Sequence, residues 1–386
     1  MLDLKAGAAA ARLRMRYRGR VSQVPIYLGK LFRMFLYQND WKVLPMAVLV
    51  AGLVGLVIRG RFLSTMEGTL MSALAIACAC IWNGCFNSIQ VICRERDVIK
   101  REHRSGMHIS SYILSHMIYQ ALLCLLQTGI TLYVTSTLGV NYPSEGLFSD
   151  FFMVEFFISL FLITYAADMM SLWISSLCRS TTTAMTVMPV LLILQLVFSG
   201  GMMTLPARAE PVTRFIISNY SLKLVAAEAD YNSLPLGSAW NTLQRMRGTE
   251  IKADVTVGQI LTFLENADDP TVQDIRGIEV TDMGIPGQML TVGDLIDIIV
   301  ESEDDSEEFW SHTIHINTTV DRVIQLLGEE SVKDYVVETL SATARDSTYE
   351  HSQENILGYW FSLLLFILAF SMLSIITLEF IDHDKR

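Results

Sequence analysis

Residues 93–120 read CRERDVIKREHRSGMHISSYILSHMIYQ. Arg94, Glu95, Arg96, Asp97, Lys100, Arg101, Glu102 and Arg104 crowd into eleven residues between two apolar runs, and Gly106 closes the segment before apolar sequence resumes at Met107. Asp97 lies three and four residues ahead of Lys100 and Arg101, a spacing that lets opposite charges share one helix face. Glycine is the residue that most readily takes the left-handed conformation ending a helix. The stretch therefore predicts a short charged helix held between two membrane spans. A loop needed only to reverse the chain could be shorter and less ordered, so this one reads as a lever on which another protein pushes.

The composition agrees with spans on either side. With a mean hydropathy of +0.38, 51% apolar and 18% charged residues, the chain falls in the membrane class. Its net charge of −11 averages two unlike parts. Residues 210–354 hold 27 acids and 9 bases, a net of −18, whereas the rest carries 20 bases and 13 acids. All six cysteines lie in or beside apolar spans, so the acidic part folds without disulfides. The start of the chain lacks the short apolar core and small-residue cleavage site of a signal peptide.

Residues 1–42 hold nine basic and two acidic side chains, with Arg12, Arg14, Arg16, Arg18 and Arg20 on alternate positions. Such a segment beside a first span stays cytoplasmic, and reads as a topology determinant that meets anionic lipid, at about 1 kcal/mol per charge, or as a binding segment for a specific partner. From Val24 to Tyr37, apolar residues interleave with Lys30 and Arg33, the pattern of a helix lying in the interface plane.

Six spans are expected, at about 41–58, 68–93, 109–135, 151–178, 184–203 and 355–381. In the second, Asn83, Asn87 and Gln90 recur at i, i+4 and i+7, a polar stripe that avoids lipid. It reads equally as interhelical hydrogen bonding, about 0.6 kcal/mol per bond in a membrane, or as the lining of a substrate path with Phe86 beside it. The fourth span carries Glu155 near its outer end and Asp168 deeper, where a carboxylate costs about 3 kcal/mol. Asp168 is thus an intramembrane acid that faces protein or a wet cavity, either packed and protonated or acting in transport. Lys and Arg in the short loops concentrate before span one, between two and three, between four and five, and at the C-terminus. The N-terminus, the charged helix and the C-terminus are therefore expected in the cytoplasm.

After span five, Gly200, Gly201, Pro206 and Pro211 interrupt the helix, and Phe215 to Val225 is too short to cross. A re-entrant hairpin over 204–225 accounts for both. The acidic insert, 228–353, is the one soluble domain and is long enough to bury a core. TVGQILTFL from Thr256, TVGDLIDII from Thr291 and TVDRVIQLL from Thr319 each begin like a capped helix, by degenerate repetition or by chance recurrence. ESEDDSEE at 301–308 lacks the glycine and spacing of a calcium loop and reads as a solvated acidic face. His312 and His315 have no convincing further ligands, and no metal site is expected.

Taken in order, these features resemble the permease half of ABC exporters, specifically the ABCG-like (type V) family. ERDVIKREHRSGMHISSYILSHMIYQ is similar to that family's coupling region, and FSGG followed by ISNYSLKLVAAE is similar to the end of span five with its re-entrant helices. The resemblance implies an all-α polytopic membrane protein with six transmembrane helices. It further implies re-entrant helices after span five and a mainly helical extracytoplasmic domain, α+β being the alternative, between spans five and six. Residues 1–40 become the basic start and connecting helix, 41–227 spans one to five with a coupling helix at 94–104, and 354–386 span six with a cytoplasmic tail.

By that resemblance Arg94, Glu95, Arg96, Lys100, Arg101 and Glu102 couple to an ATPase. Asn83, Phe86, Asn87, Gln195 and Phe198 line a substrate path on a dimer axis. The expected partners are a separate ABC ATPase subunit, which binds the ATP and Mg, a second permease, identical or not, and the lipid of the plasma membrane. The 386 residues contain no G-x-x-x-x-G-K-S/T loop, so no catalytic residue, cofactor or nucleic-acid partner is expected on them. The residues alone leave two rivals to export: a sensor reporting an external ligand through the charged loop, and an ion-coupled carrier using Asp168.

Overall fold

A computed structural model describes residues 19–37, 40–201, 208, 210–256, 279–280, 290–291 and 313–380. Arg12 to Arg18, the helices expected after Thr256 and Thr291, the 301–308 acidic run, His312 and residues 204–207 of the expected hairpin lie outside them. The chain divides into two compact units, Met1–Leu234 with Arg345–Arg386, and Pro235–Ala344.

The first unit opens with α1 (Arg20–Tyr37), amphipathic and 18 residues long, which buries Gln23 and Leu31. A 3-10 turn, Asp40–Lys42, leads into α2 (Val43–Ile58). Then come α3 (Met66–Ser88), the charged α4 (Val91–Arg104), α5 (Ile109–Thr137), α6 (Phe152–Leu177) and α7 (Thr181–Val197). A single turn at Glu210–Thr213 precedes α8 (Ile217–Glu228).

The second unit places α9 (Gly237–Arg245) before strands β1 (Glu250–Thr256), β2 (Glu279–Val280), β3 (Leu290–Thr291) and β4 (Thr313–Thr319), then α10 (Val320–Leu327) and α11 (Glu329–Ala344). β1 runs antiparallel to β4, with Glu250 opposite Thr319 and Thr256 opposite Thr313, and β2 pairs with β3. Arg247 braces this unit by pairing with Glu329 at 2.6 Å and Asp321 at 3.6 Å. The chain returns to the first unit with α12 (Gln353–Glu379). There Asn232 donates to the Asp346 carbonyl at 2.9 Å and accepts its N–H at 3.1 Å, clasping the two chain segments that lead to and from the insert.

Among the described residues, five helical segments are long and apolar enough to cross a membrane: Asp40–Ile58, Met66–Arg104, Ile109–Thr137, Phe152–Leu177 and Gln353–Glu379. α7 is apolar but has 17 residues, a length of about 25 Å against a hydrocarbon core of about 30 Å. α3 and α6 form the core of the unit. Lipid supplies no hydrophobic drive between helices, so close packing of small side chains has to. Ala73, Ala77, Cys80, Gly84 and Ser88 line the buried face of α3, and Ser159, Ala167, Ser171 and Ser175 lie buried on α6. By contrast α2 and α12 keep Leu49, Leu53, Leu56, Phe361, Leu365 and Met372 exposed, as helices facing lipid do.

Two spans end five or six residues before the sequence reading. α3 stops at Ser88, ahead of the expected Cys93, because the chain turns at Ile89 and Gln90 and restarts as α4 three residues before the expected Arg94. α7 stops at Val197, short of the expected Met203, where Phe198 bonds back to the Leu194 carbonyl and Gly200 takes φ +81°.

Gly84 sets how near α3 and α6 approach. A Cβ there would lie 2.9 Å from the Asp168 backbone nitrogen and nearer still to the Thr164 carbonyl. Both are helix backbone and cannot swing aside. Gly84→Ala is therefore expected to cost about 1–3 kcal/mol, read as a lower midpoint of thermal unfolding in detergent. Gly52→Ala, whose added Cβ meets nothing within 4 Å, should not lower it.

Candidate functional site

The charged helix is fixed at both ends by groups from other helices. The first N–H groups of a helix have no intrahelical acceptor, and the Gln90 side chain does not cap α4. Instead the buried Ser175 hydroxyl, one turn from the end of α6, accepts the Ile92 N–H at 3.1 Å and the Cys93 N–H at 3.2 Å. In return Arg96 reaches the foot of α6, where Nη1 donates to the carbonyls of Ser176 at 2.8 Å and Cys178 at 3.1 Å. Each helix caps the other, and the positive end of α4 meets the negative end of α6.

The far end of α4 closes as a Schellman turn: Met107 N–H bonds to Glu102 O and Gly106 N–H to His103 O, with Gly106 at φ +100°. The Gln23 amide of α1 fits this turn, donating to Gly106 O at 3.1 Å and accepting His108 N–H at 2.9 Å. Further contacts tie α1 and the turn after it to α4 and α5. Lys30 pairs with Glu95 at 3.0 Å and lies 3.9 Å from Glu102, Asp40 takes Arg94 through both guanidinium nitrogens, and Tyr27 meets Tyr112 edge to face. Burial, then the neighbouring Glu102 carboxylate, pushes the Tyr27 hydroxyl up to about 12, so it stays a neutral donor. Ile92 and Ile99 face inward, while Arg94, Asp97, Arg101 and Arg104 are exposed. Of the six charged residues expected to couple, Glu95, Arg96 and Glu102 therefore turn toward the protein, Arg94 is engaged by Asp40, Arg101 faces out, and Lys100 is half-buried.

Above this junction lies a buried polar cluster between α3, α5 and α6. Asp168 is fully buried, with Ser88 donating to Oδ1 and Cys124 to Oδ2 at 3.3 Å. Gln120 donates to the Ser88 hydroxyl at 2.8 Å. Asn87 and Gln127 exchange two amide hydrogen bonds, at 2.8 and 2.9 Å. In the first turn of α6, the Glu155 carboxylate accepts the N–H groups of Leu147, Phe148 and Ser149 at 2.6–2.9 Å. The Trp360 indole donates at 2.6 Å to Ser159, which itself donates to Glu228.

The path candidates do not converge. Phe86 lines an apolar cleft of about 410 Å³ between α3 and α7, with Trp82, Met188, Leu192 and Leu196. Asn87 is turned to α5, and Asn83 is buried. Gln195 ties α7 to α8 by accepting the Ser218 N–H at 3.0 Å. Phe198 sits half-buried in the turn after α7. Ser175, Gln23 and Asp40 escape the sequence reading because a single polar residue carries no periodic signal. Lys30, a cation on a helix otherwise suited to the interface, is the detectable one.

Ser175→Ala would leave two buried N–H groups without an acceptor, a cost of about 1–3 kcal/mol. The thermal unfolding midpoint should fall accordingly, whereas the exposed Ser136→Ala should leave it in place; equal midpoints for the two would contradict the capping role.

Residues 30–221, about half of the chain, match the family model for the ABC-2 type transporter. A stretch of 132 residues, 33% of this chain, is 25% identical to the ABC transporter ATP-binding/permease protein Rv1747 of Mycobacterium tuberculosis, and covers 15% of that protein's length. The family match runs from α1, through the charged helix and the helices packed on it, into α8. With that match and its membrane-length helices, the chain belongs to the ABC-2 type transporter family, as an ABC permease.

Proposed function

We propose that this permease serves an ATP-driven exporter of ABCG-like architecture, working as a dimer with a separate ABC ATPase subunit that holds the ATP and Mg. α7 is then the fifth span and α12 the sixth, with both chain ends and α4 on the cytoplasmic side of the plasma membrane. Residues 228–353 lie outside, and 204–225 form a re-entrant hairpin whose buried, 12-residue α8 is too short to cross. Two permeases face each other across the α3–α7 cleft. Phe86 contacts the cargo there, while Asn83, Asn87, Gln195 and Phe198 hold the surrounding helices in position.

The observation that carries this reading is the mutual capping of α4 and α6. A push on the exposed residues of α4 enters α6 at its foot without slack, passes to α3 where Gly84 leaves no room, and reaches the cleft that α3 lines. α1, held by Lys30 and Gln23, moves with α4. The name of the mycobacterial relative, which joins ATP binding and permease, supports an ATPase as the source of that push.

In a reconstituted complex, Arg101→Ala should lower substrate-stimulated ATP turnover roughly tenfold, equivalent to about 1.4 kcal/mol in the coupled step, without preventing assembly. Glu95→Gln should lower it through the loosened Lys30 contact and in a salt-dependent way. Unchanged turnover in both, with assembly intact, would count against force entering through α4.

A further inference from the structure

Along one face of α5 runs a line of polar groups that the helix contacts above leave unused. Tyr112, His116 and Gln120 follow at i+4 spacing and are each about 1% exposed. The Tyr112 hydroxyl, both ring nitrogens of His116 and Oε1 of Gln120 have no hydrogen-bond partner among the described residues. Side chains serving only as interhelical glue would be paired, as Asn87 and Gln127 are. Native proteins rarely leave such groups unsatisfied, and water commonly meets the need.

The line has two distinct ends. At the inner face, Tyr112 and His116 stack edge-on at 4.6 Å, close to Lys30 and Tyr27 of α1 and to Arg94, Glu95 and Glu102 of α4, whose Glu102 Oε2 is also buried without a partner. At the deep end, Gln120 donates to Ser88, and Ser88 to Asp168. The titratable groups around Asp168 are Cys85 of α3, Tyr119 and Cys124 of α5, and Tyr165 of α6. None is a cation. Beyond it, the closed Asn87–Gln127 pair interrupts the line.

We propose that the α5 face from Tyr112 to Gln120 is a hydrated proton path that joins the cytoplasmic face to Asp168 and ends there. At rest Asp168 holds its proton, because an ionised carboxylate with no cation beside it is costly in a membrane. On release, Asp168 gives its proton to the Ser88 oxygen as Ser88 passes its own on to water bound by Gln120, His116 and Tyr112, and so to the inner-face carboxylates, after which the Ser88 hydroxyl turns back. The carboxylate left behind is held by the Ser88 O–H and the Cys124 S–H. Imidazole suits the middle of such a path, since one ring nitrogen accepts a proton as the other gives one up. Because the path ends at Asp168, it loads a site without leaking protons across the membrane.

The test is infrared spectroscopy of the full chain in lipid on transfer to heavy water, which needs neither an ATPase nor a cargo. A protonated carboxyl band that is lost in Asp168→Asn should shift on deuteration. The shift should be severalfold slower in His116→Phe and in Gln120→Leu, with His116→Asn, which keeps hydrogen-bonding groups, close to the native rate. An absent Asp168-dependent band, or equal exchange rates in the native protein and in whichever blocking variant folds, would overturn the proposal.

Discussion

Two helix ends that satisfy each other's backbone groups are the constraint on which the rest of this structure depends. α4 begins with N–H groups that have no internal acceptor, α6 ends with carbonyls that have no internal donor, and Ser175 and Arg96 supply the missing partners. A hydrogen bond to a charged donor such as Arg96 contributes about 1.5–3 kcal/mol, and leaving a buried N–H unpaired costs about 1–3 kcal/mol. The two helices therefore separate only at considerable cost. They act as one bent rod, one arm charged and the other of membrane-spanning length.

What lies above the bend follows from the solvent. Lipid does not drive apolar helices together, so contact between α3 and α6 depends on small side chains and on Gly84, and contact between α3 and α5 on paired amides and on the Asp168 cluster. Carboxyl groups are accommodated in this setting where the fold supplies hydrogen-bond partners. Glu155 folds back onto three backbone N–H groups, and Asp168 draws on Ser88 and Cys124. The ion pairs beside α4, from Lys30 of α1 to Glu95 and from Asp40 of the following turn to Arg94, are partly solvated and individually weak. They steer α1 against α4 more than they stabilise the fold.

How much of this could be read from the residues depends on whether the controlling signal is periodic. The charged helix, its closure at Gly106 and the amphipathic α1 were legible, because charge spacing, a terminal glycine and an amphipathic pattern are local features. So was the helix start at Thr319, where α10 follows directly. The break at Ile89 and Gln90 was not. It depends on Ser175, some eighty residues away, and an isolated serine in an apolar span looks like any other. Gln127, forty residues from Asn87, is invisible to spacing rules for the same reason, so the polar stripe of α3 allowed bonding and path lining alike. In the insert, the pairing of 250–256 with 313–319 is non-local, and Thr-rich stretches that also resemble helix caps do not announce it.

The central claim, that α4 and α6 move as one body, is tested most directly by spin labels at positions 97 and 177, on a background with the six cysteines replaced. Distances would be recorded for the permease assembled with its ATPase, nucleotide-free and trapped with nucleotide. The account predicts one unchanged distance distribution, while a label pair between 97 and the ATPase shifts. A 97–177 distance that changes between the two states would contradict it.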